Sequence, residues 1–206
     1  MKICFLQVTS PEIYEYSKYS VQINKKYCEL HNYDYLELNA INKNEYYPSW
    51  SKIFHVKSIL EKGEYSHVFF LDADAIVINK NKKLEDKINK MNTTIAFSED
   101  TNLKAGELIN TGAFIANKDS IYILDLCIKR SITDLKDKKL GFPWEQSVMN
   151  ILYSEGIEMD LFPMNEINSS WLYDIESNDD QFIYHFMARS YDDKIEIAKN
   201  LFEKYK

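Results

Sequence analysis

The sequence predicts an α/β fold with a mainly parallel central sheet flanked by helices. Three observations predict it. The first eighty residues alternate apolar runs with amphipathic helical patterns, in the order β-α-β-α-β. The run at 67–78 is apolar on both faces, as a central parallel strand must be. Two acids, Asp72 and Asp74, interrupt that run. In open parallel sheets ligands bind beyond the carboxyl ends of the strands.

The elements follow in order. Residues 3–8 read as a buried strand. Ser10 is placed to cap a helix, with Pro11 at its first position. Ile13, Tyr16, Ser20, Ile23, Tyr27 and Leu30 then recur at spacings of three and four, which predicts one inward helical face. Residues 33–38 suit a second strand. Pro48 opens a second helix, with Ile53, Val56 and Leu60 on one side and Gly63 just past its end. The third strand, 67–78, carries Asp72 at the carboxyl end of its first apolar half. A short helix is expected near 83–90, strands at 93–97 and 108–116, and helices at 120–132 and 143–153, the latter closed by Gly156. A short strand at 182–186 and a terminal helix at 192–205 complete the chain, with Ile195, Ala198, Leu201 and Tyr205 inward. The stretches 135–142 and 164–181 are polar and irregular, and are expected to be active-site loops.

Length and composition set bounds. A chain of 206 residues with 45% hydrophobic content is expected to form one domain, 1–206, with a real core. The net charge of −7, with no basic block, argues against a nucleic-acid partner. Lys82-Lys83 and Lys138-Lys139 are isolated pairs. The cysteines, Cys4, Cys28 and Cys127, have no metal-binding spacing and read as reduced core residues. The apolar run after Met1-Lys2 is too short for a signal segment or a membrane span. A soluble cytoplasmic protein without a transmembrane segment is the expectation.

The chemistry centres on the two acids. Two carboxylates two residues apart at a strand end make a hard oxygen site for Mn²⁺ or Mg²⁺, through which a diphosphate binds. The alternative is a structural pair, capping a turn or bonded to lysines. His185 closes a short apolar strand; a neutral imidazole suits Mn²⁺, and the alternative is a satisfied core histidine. His31, His55 and His67 are expected on surfaces. Asn110, Thr111 and Gly112 put a small polar triplet into a strand-like run, which allows close backbone approach to a ligand or marks an ordinary bulge. Glu145 and Gln146 begin a helix, where an acid also suits the helix dipole. Trp144 before them suits stacking on a sugar face, or plain packing.

Together these pieces resemble nucleotide-diphospho-sugar glycosyltransferases of the Rossmann-like GT-A fold. FFLDADAIV resembles their D-x-D strand. INTGAFIAN resembles the N-[ST]-G-x-x-x-x-N strand of families 8 and 34, WEQSVMNIL their [DE]-Q helix, and IYHF their C-terminal metal-binding H-F. PSWSKIFHVKSIL resembles the W-x-K helix of family 34, the galactosyl/xylosyltransferase group. The motifs keep the family order from Trp50 to His185. The opening ICFLQVTSPEIY resembles the N-terminal glycosyltransferase domain of a large chlorella-virus enzyme.

The resemblance implies roles. Asp74 and His185 ligate Mn²⁺, and Asp72 reaches the metal, the ribose or both. Val8 and Thr9 hold the base, with Ala73 and Lys52 near the donor. Asn110, Thr111, Gly112, Glu145 and Gln146 line the sugar site, with Gln146 near the anomeric carbon. Gln146, Glu145 and Asp72 are the candidate catalytic residues. The implied reaction moves a hexose or pentose from a UDP-sugar to a glycan hydroxyl, with retention. Family 8 continues as H-x-x-G-x-x-K with a phosphate-binding lysine. Ala188 and Tyr191 stand at those places here, so Arg189 is expected to supply the cation. A haloacid-dehalogenase-type phosphatase, with Asp72 as nucleophile, is the competing enzyme reading. The β-α-β-α unit before Asp72, and Ile76 after Asp74, count against it. The non-enzymatic reading is a sugar-nucleotide-binding module without chemistry.

Overall fold

The structure is a computed structural model that describes residues 1–41, 46–100, 108–136, 144–169 and 181–205, with backbone alone for 134–136. Strands β1 (Ile3–Thr9), β2 (Asp34–Asn39) and β3 (His67–Leu71) form one half of the main sheet. Helices α1 (Tyr14–His31) and α2 (Ser51–Glu61) connect them. The other half holds β5 (Ile95–Glu99), β6 (Ile109–Asn117) and β7 (Asp160–Phe162), with α4 (Ile121–Lys136) and α5 (Glu145–Ser154). The six strands run in the order β2-β1-β3-β6-β5-β7.

The sheet is mostly parallel, as expected, with β6 reversed against both neighbours. The chain explains the reversal. Asp100 N donates to Leu108 O (2.9 Å), so β5 returns into β6 through a short connection. A parallel pair needs a crossover of a dozen residues or more. The reversal carries the start of β6 to the carboxyl end of β3.

The run at 67–78 is not one strand. It breaks at the acids into β3 and β4 (Ala75–Val77), and β4 pairs with β8 (Ile183–His185) in a separate two-stranded sheet. Buried polar side chains hold the break. Gln7 Nε2 donates to Asp72 O (3.1 Å), and Ser20 Oγ donates to Ala73 O (2.6 Å). Asn24 brackets β4 by donating to Ala75 O (3.0 Å) and accepting from Val77 N (2.8 Å). The bonds from Ser20 and Asn24 pair backbone groups that the broken ladder leaves, and Gln7 adds a second donor to Asp72 O, which also accepts from Ala75 N (3.1 Å).

Three apolar clusters follow from strand alternation. Phe70, Phe97 and Phe114 point to α2, α4 and α5. Phe5, Phe69 and Ile115 point to α1 and to α3 (Leu84–Ile88). Ile76 and Tyr184 of the small sheet, with Phe186 just after it, pack against Ile23 of α1 and against Ala198 and Leu201 of α7 (Tyr191–Tyr205).

Some expectations shift. Leu30 is 62% exposed, because the inward face of α1 ends at Tyr27 and Cys28. Residues 11–13 form a 3₁₀ turn before α1, and Ser10 makes no side-chain cap. The helix expected from 143 begins at Glu145, and Pro143 lies outside the described residues. Within 164–181 the first residues form α6 (Met164–Ile167), and 170–180 lie outside the described residues, as do 137–143. All three cysteines are free and buried, and burial pushes the Cys4 thiol up to about 12. Among the described residues no helix is long and apolar enough to cross a membrane.

Candidate functional site

The site is assembled where β3, β6 and the small sheet meet. Pairing of β4 with β8 sets His185 opposite Ala75, and Phe186 N donates to Asp74 O (3.0 Å). This register brings His185 Nε2 to 2.9 Å from Asp74 Oδ1 and 4.0 Å from Asp72 Oδ2. One ligand atom each from Asp72, Asp74 and His185 lies within 4.8 Å of the others. Gly112 makes room for the ring. A Cβ there would stand 2.9 Å from His185 Nδ1 and closer still to Cε1. The triplet thus admits a close approach, and its neighbour is the chain's own imidazole. The bulge is present too, since Phe97 faces Phe114 while Ser98 faces Asn110.

Both acids also meet lysines, as the structural alternative required. Lys52, only 5% exposed, lies 2.8 Å from Asp72 Oδ1 and 3.1 Å from Glu145 Oε1. It donates further to Thr111 O (3.4 Å). Lys194 of α7 lies 2.5 Å from Asp74 Oδ2. The two acids are consequently pulled apart. Burial pushes the Asp72 carboxyl up, and Lys52 offsets this only in part, with Asp74 adding to the rise. Burial acts on Asp74 as well, but His185 and Lys194 outweigh it and hold that carboxyl well below the usual range. For Glu145 burial is again outweighed, here by Lys52.

Gln146 is fixed at both ends. Its Oε1 accepts from Thr111 N (3.2 Å), and its Nε2 donates to Asp100 Oδ2 (2.9 Å). Asn110 donates to the same oxygen (3.2 Å), while its own Oδ1 accepts from Gly112 N (2.8 Å) and Asn168 Nδ2 (3.0 Å). Thr111 Oγ1 donates to Glu145 Oε1 (3.2 Å).

These groups line a cleft with two compartments. One, about 500 Å³, holds Asn110, Gly112, Gln146, His185 and Lys194. The other, about 460 Å³, holds Val8, Thr9, Tyr16 and Ala73. Lys52, Asp72, Asp74 and Trp144 border both. Trp144 is 55% exposed and stacks on Tyr47 at 5.2 Å. The predicted residues therefore converge, with one exception. Arg189 is exposed and borders neither compartment; the cation beside Asp74 is Lys194. Ala188, at the glycine place of the family 8 pattern, takes the left-handed conformation with φ 58°. His31 and His55 donate to backbone carbonyls of Lys80 (2.7 Å) and Asn39 (2.9 Å), away from the cleft.

Sequence reasoning missed Gln7, Asn24, Asp100, Asn168 and Lys194. Two had a visible signal. Asn24 is a polar residue on the buried face of α1, and Asp100 follows β5 just as Asp72 follows β3.

Comparison with known proteins gives the geometry a context. The sequence matches the galactosyl transferase GMA12/MNN10 family over residues 5–153. No curated protein matches it. A glycosyltransferase involved in glycosylation of the major capsid of PBCV-1 superposes with a TM-score of 0.78 at 18% identity, over 97% of this chain and 100% of that one. GlyE of Streptococcus pneumoniae TIGR4 gives 0.61 at 12% identity, over 100% of this chain and 63% of that one. The galactosyltransferase LgtC, solved with donor and acceptor sugar analogues, gives 0.59 at 13% identity, over 98% and 96%. At these identities the likeness shows the fold, which is GT-A. The phosphatase reading of Asp72 falls with the family match. The chain belongs to the galactosyl transferase GMA12/MNN10 family, glycosyltransferase family 34, and is a glycosyltransferase.

Proposed function

We propose that residues 1–206 act as one domain that moves a hexosyl or pentosyl group from a UDP-sugar to a glycan hydroxyl. The reading includes dependence on Mn²⁺ or Mg²⁺ and retention of configuration. The observation that carries it is the convergence of Asp72, Asp74 and His185, with both acids bordering the two compartments of the cleft and His185 lining the larger one.

The donor set fits a metal. Two carboxylates and one imidazole form a mixed oxygen and nitrogen site suited to Mn²⁺, and among the described residues Asp72 Oδ2 carries no lysine. When bound, the ion supplies Lewis-acid stabilisation to the departing diphosphate.

The chain's residues do the rest. The compartment of Val8, Thr9 and Tyr16 receives the nucleoside, and that of Asn110 and Gln146 receives the sugar. Gln146, held by Thr111 N and Asp100, presents a fixed amide toward the anomeric carbon. Such fixed dipoles stabilise developing charge without reorganising. Glu145, through Lys52 and Thr111, sets the charge under the sugar.

The test is calorimetry with UDP and MnCl₂. Asp74→Ala is expected to abolish metal-dependent binding; unchanged binding overturns the metal assignment. A panel of nucleotide sugars, scored for Mn²⁺-dependent hydrolysis, identifies the donor without an acceptor. Binding with no hydrolysis of any donor leaves the non-catalytic module.

A further inference from the structure

Asp74 has both carboxylate oxygens engaged by the protein. Oδ1 accepts from His185 Nε2 at 2.9 Å, and Oδ2 holds Lys194 Nζ at 2.5 Å. A divalent cation taken up by Asp72, Asp74 and His185 meets that ammonium on the same carboxylate. Like charges so close repel, which favours the departure of one of them from Asp74.

Lys52 and Lys194 differ in their freedom to respond. A lysine ammonium has three donors. Lys52 is buried and faces three acceptors, on Asp72, Glu145 and Thr111. It has no donor to spare. Lys194 is half-buried at the edge of the metal compartment, bonded to Asp74 and 5.5 Å from the centre of the Tyr16 ring. Its helix is fixed on α1 by Ala198 and Leu201. The flexible stem can therefore carry the ammonium while α7 stays in place. Lys194 also lies in the first turn of α7, beyond Asp192 and Asp193. A cation there opposes the helix dipole, so helix stability does not account for it. Its partner is the Asp74 carboxylate, on the side of α7 that faces the cleft.

We infer that Lys194 is a place-holder cation. It neutralises Asp74 while the metal is away, and it passes to the donor's diphosphate when the metal takes Asp74. The inference rests on the metal-dependent reading above. Metal and diphosphate then favour the same position of one ammonium, and each tightens the other.

The experiment uses the whole chain, wild type beside Lys194→Met and Lys194→Arg. Calorimetry measures MnCl₂ alone, then UDP at saturating MnCl₂. Lys194→Met is expected to bind Mn²⁺ alone about fivefold more tightly, the scale of a partly exposed ion pair. It is expected to bind UDP about tenfold more weakly, the scale of a charge-assisted bond to phosphate. Lys194→Arg is expected to keep UDP affinity within about threefold of wild type, because it retains the cation. Unchanged or weaker Mn²⁺ binding in Lys194→Met overturns the place-holder role. Unchanged UDP affinity in that variant overturns the passage to phosphate. If wild type binds UDP equally with and without Mn²⁺, the metal-dependent reading itself fails and this inference with it. Metal-dependent wild type beside a silent variant overturns the inference alone.

Discussion

Asp72 and Asp74 are neighbours on one turn, yet their flanks are built from different material. The Asp72 flank is core. Lys52 comes from α2, Glu145 from α5 and Thr111 from β6, all within or against the large sheet. The Asp74 flank is the small sheet and α7, with His185 and Lys194 as partners. A buried ion pair is weak evidence of net stability, but removing one partner is costly. The first flank thus locks the site to the fold. The second leaves a carboxylate whose partners can be exchanged.

The largest effect should come from breaking the locked flank. Lys52→Met leaves Asp72 and Glu145 uncompensated and is expected to cost about 3–5 kcal/mol by denaturant unfolding. A loss below about 1 kcal/mol would mean that water relieves the charges. The pH dependence carries a sign. Lys52 holds Glu145 below its unfolded value, so this contribution is present above about pH 4.3 and fades as pH falls through the folded value. Asp72, raised by burial, gives the opposite slope. Without Lys52, burial raises both carboxyls, so the variant should gain more stability than wild type between neutral and mildly acidic pH.

On the other flank, Gly112→Ala drives a methyl into the His185 ring. Overpacking of this kind costs about 1–3 kcal/mol. Thermal unfolding should show the loss, and Mn²⁺ affinity should fall with it. Wild-type values for both would show that the imidazole can move aside freely. The smallest effect concerns the loop between β8 and α7. Ala188 holds φ 58°, a conformation that glycine adopts without a steric penalty. Ala188→Gly should stabilise by about 0.5–1 kcal/mol, net of the added freedom of the unfolded chain. Destabilisation would mean that the Ala188 methyl makes contacts worth more than the strain.

The legible parts were those whose physics is local. The strand-helix alternation of the first half, the glycine beyond α2 and the acids at the end of β3 needed only spacing and residue type. His185 needed the resemblance, because its register against Ala75 is a tertiary fact. Gln7 was invisible as a support, since one glutamine in an apolar strand does not say which carbonyl it will meet. The three-residue β7 is too short to show a period. Arg189 is the first cation after His185 in the sequence. Lys194 is farther along the chain, but its place on α7 puts it beside Asp74.

The pairing of β4 with β8 has a consequence for assembly. Asp74 and His185 are 111 residues apart in sequence. Until β8 docks, a folding chain has two carboxylates and no imidazole at this place. A ligand that requires all three side chains recognises only the finished molecule and stabilises it by mass action. On the proposed metal-dependent reading, the cation would then report the completion of folding before it served any chemistry.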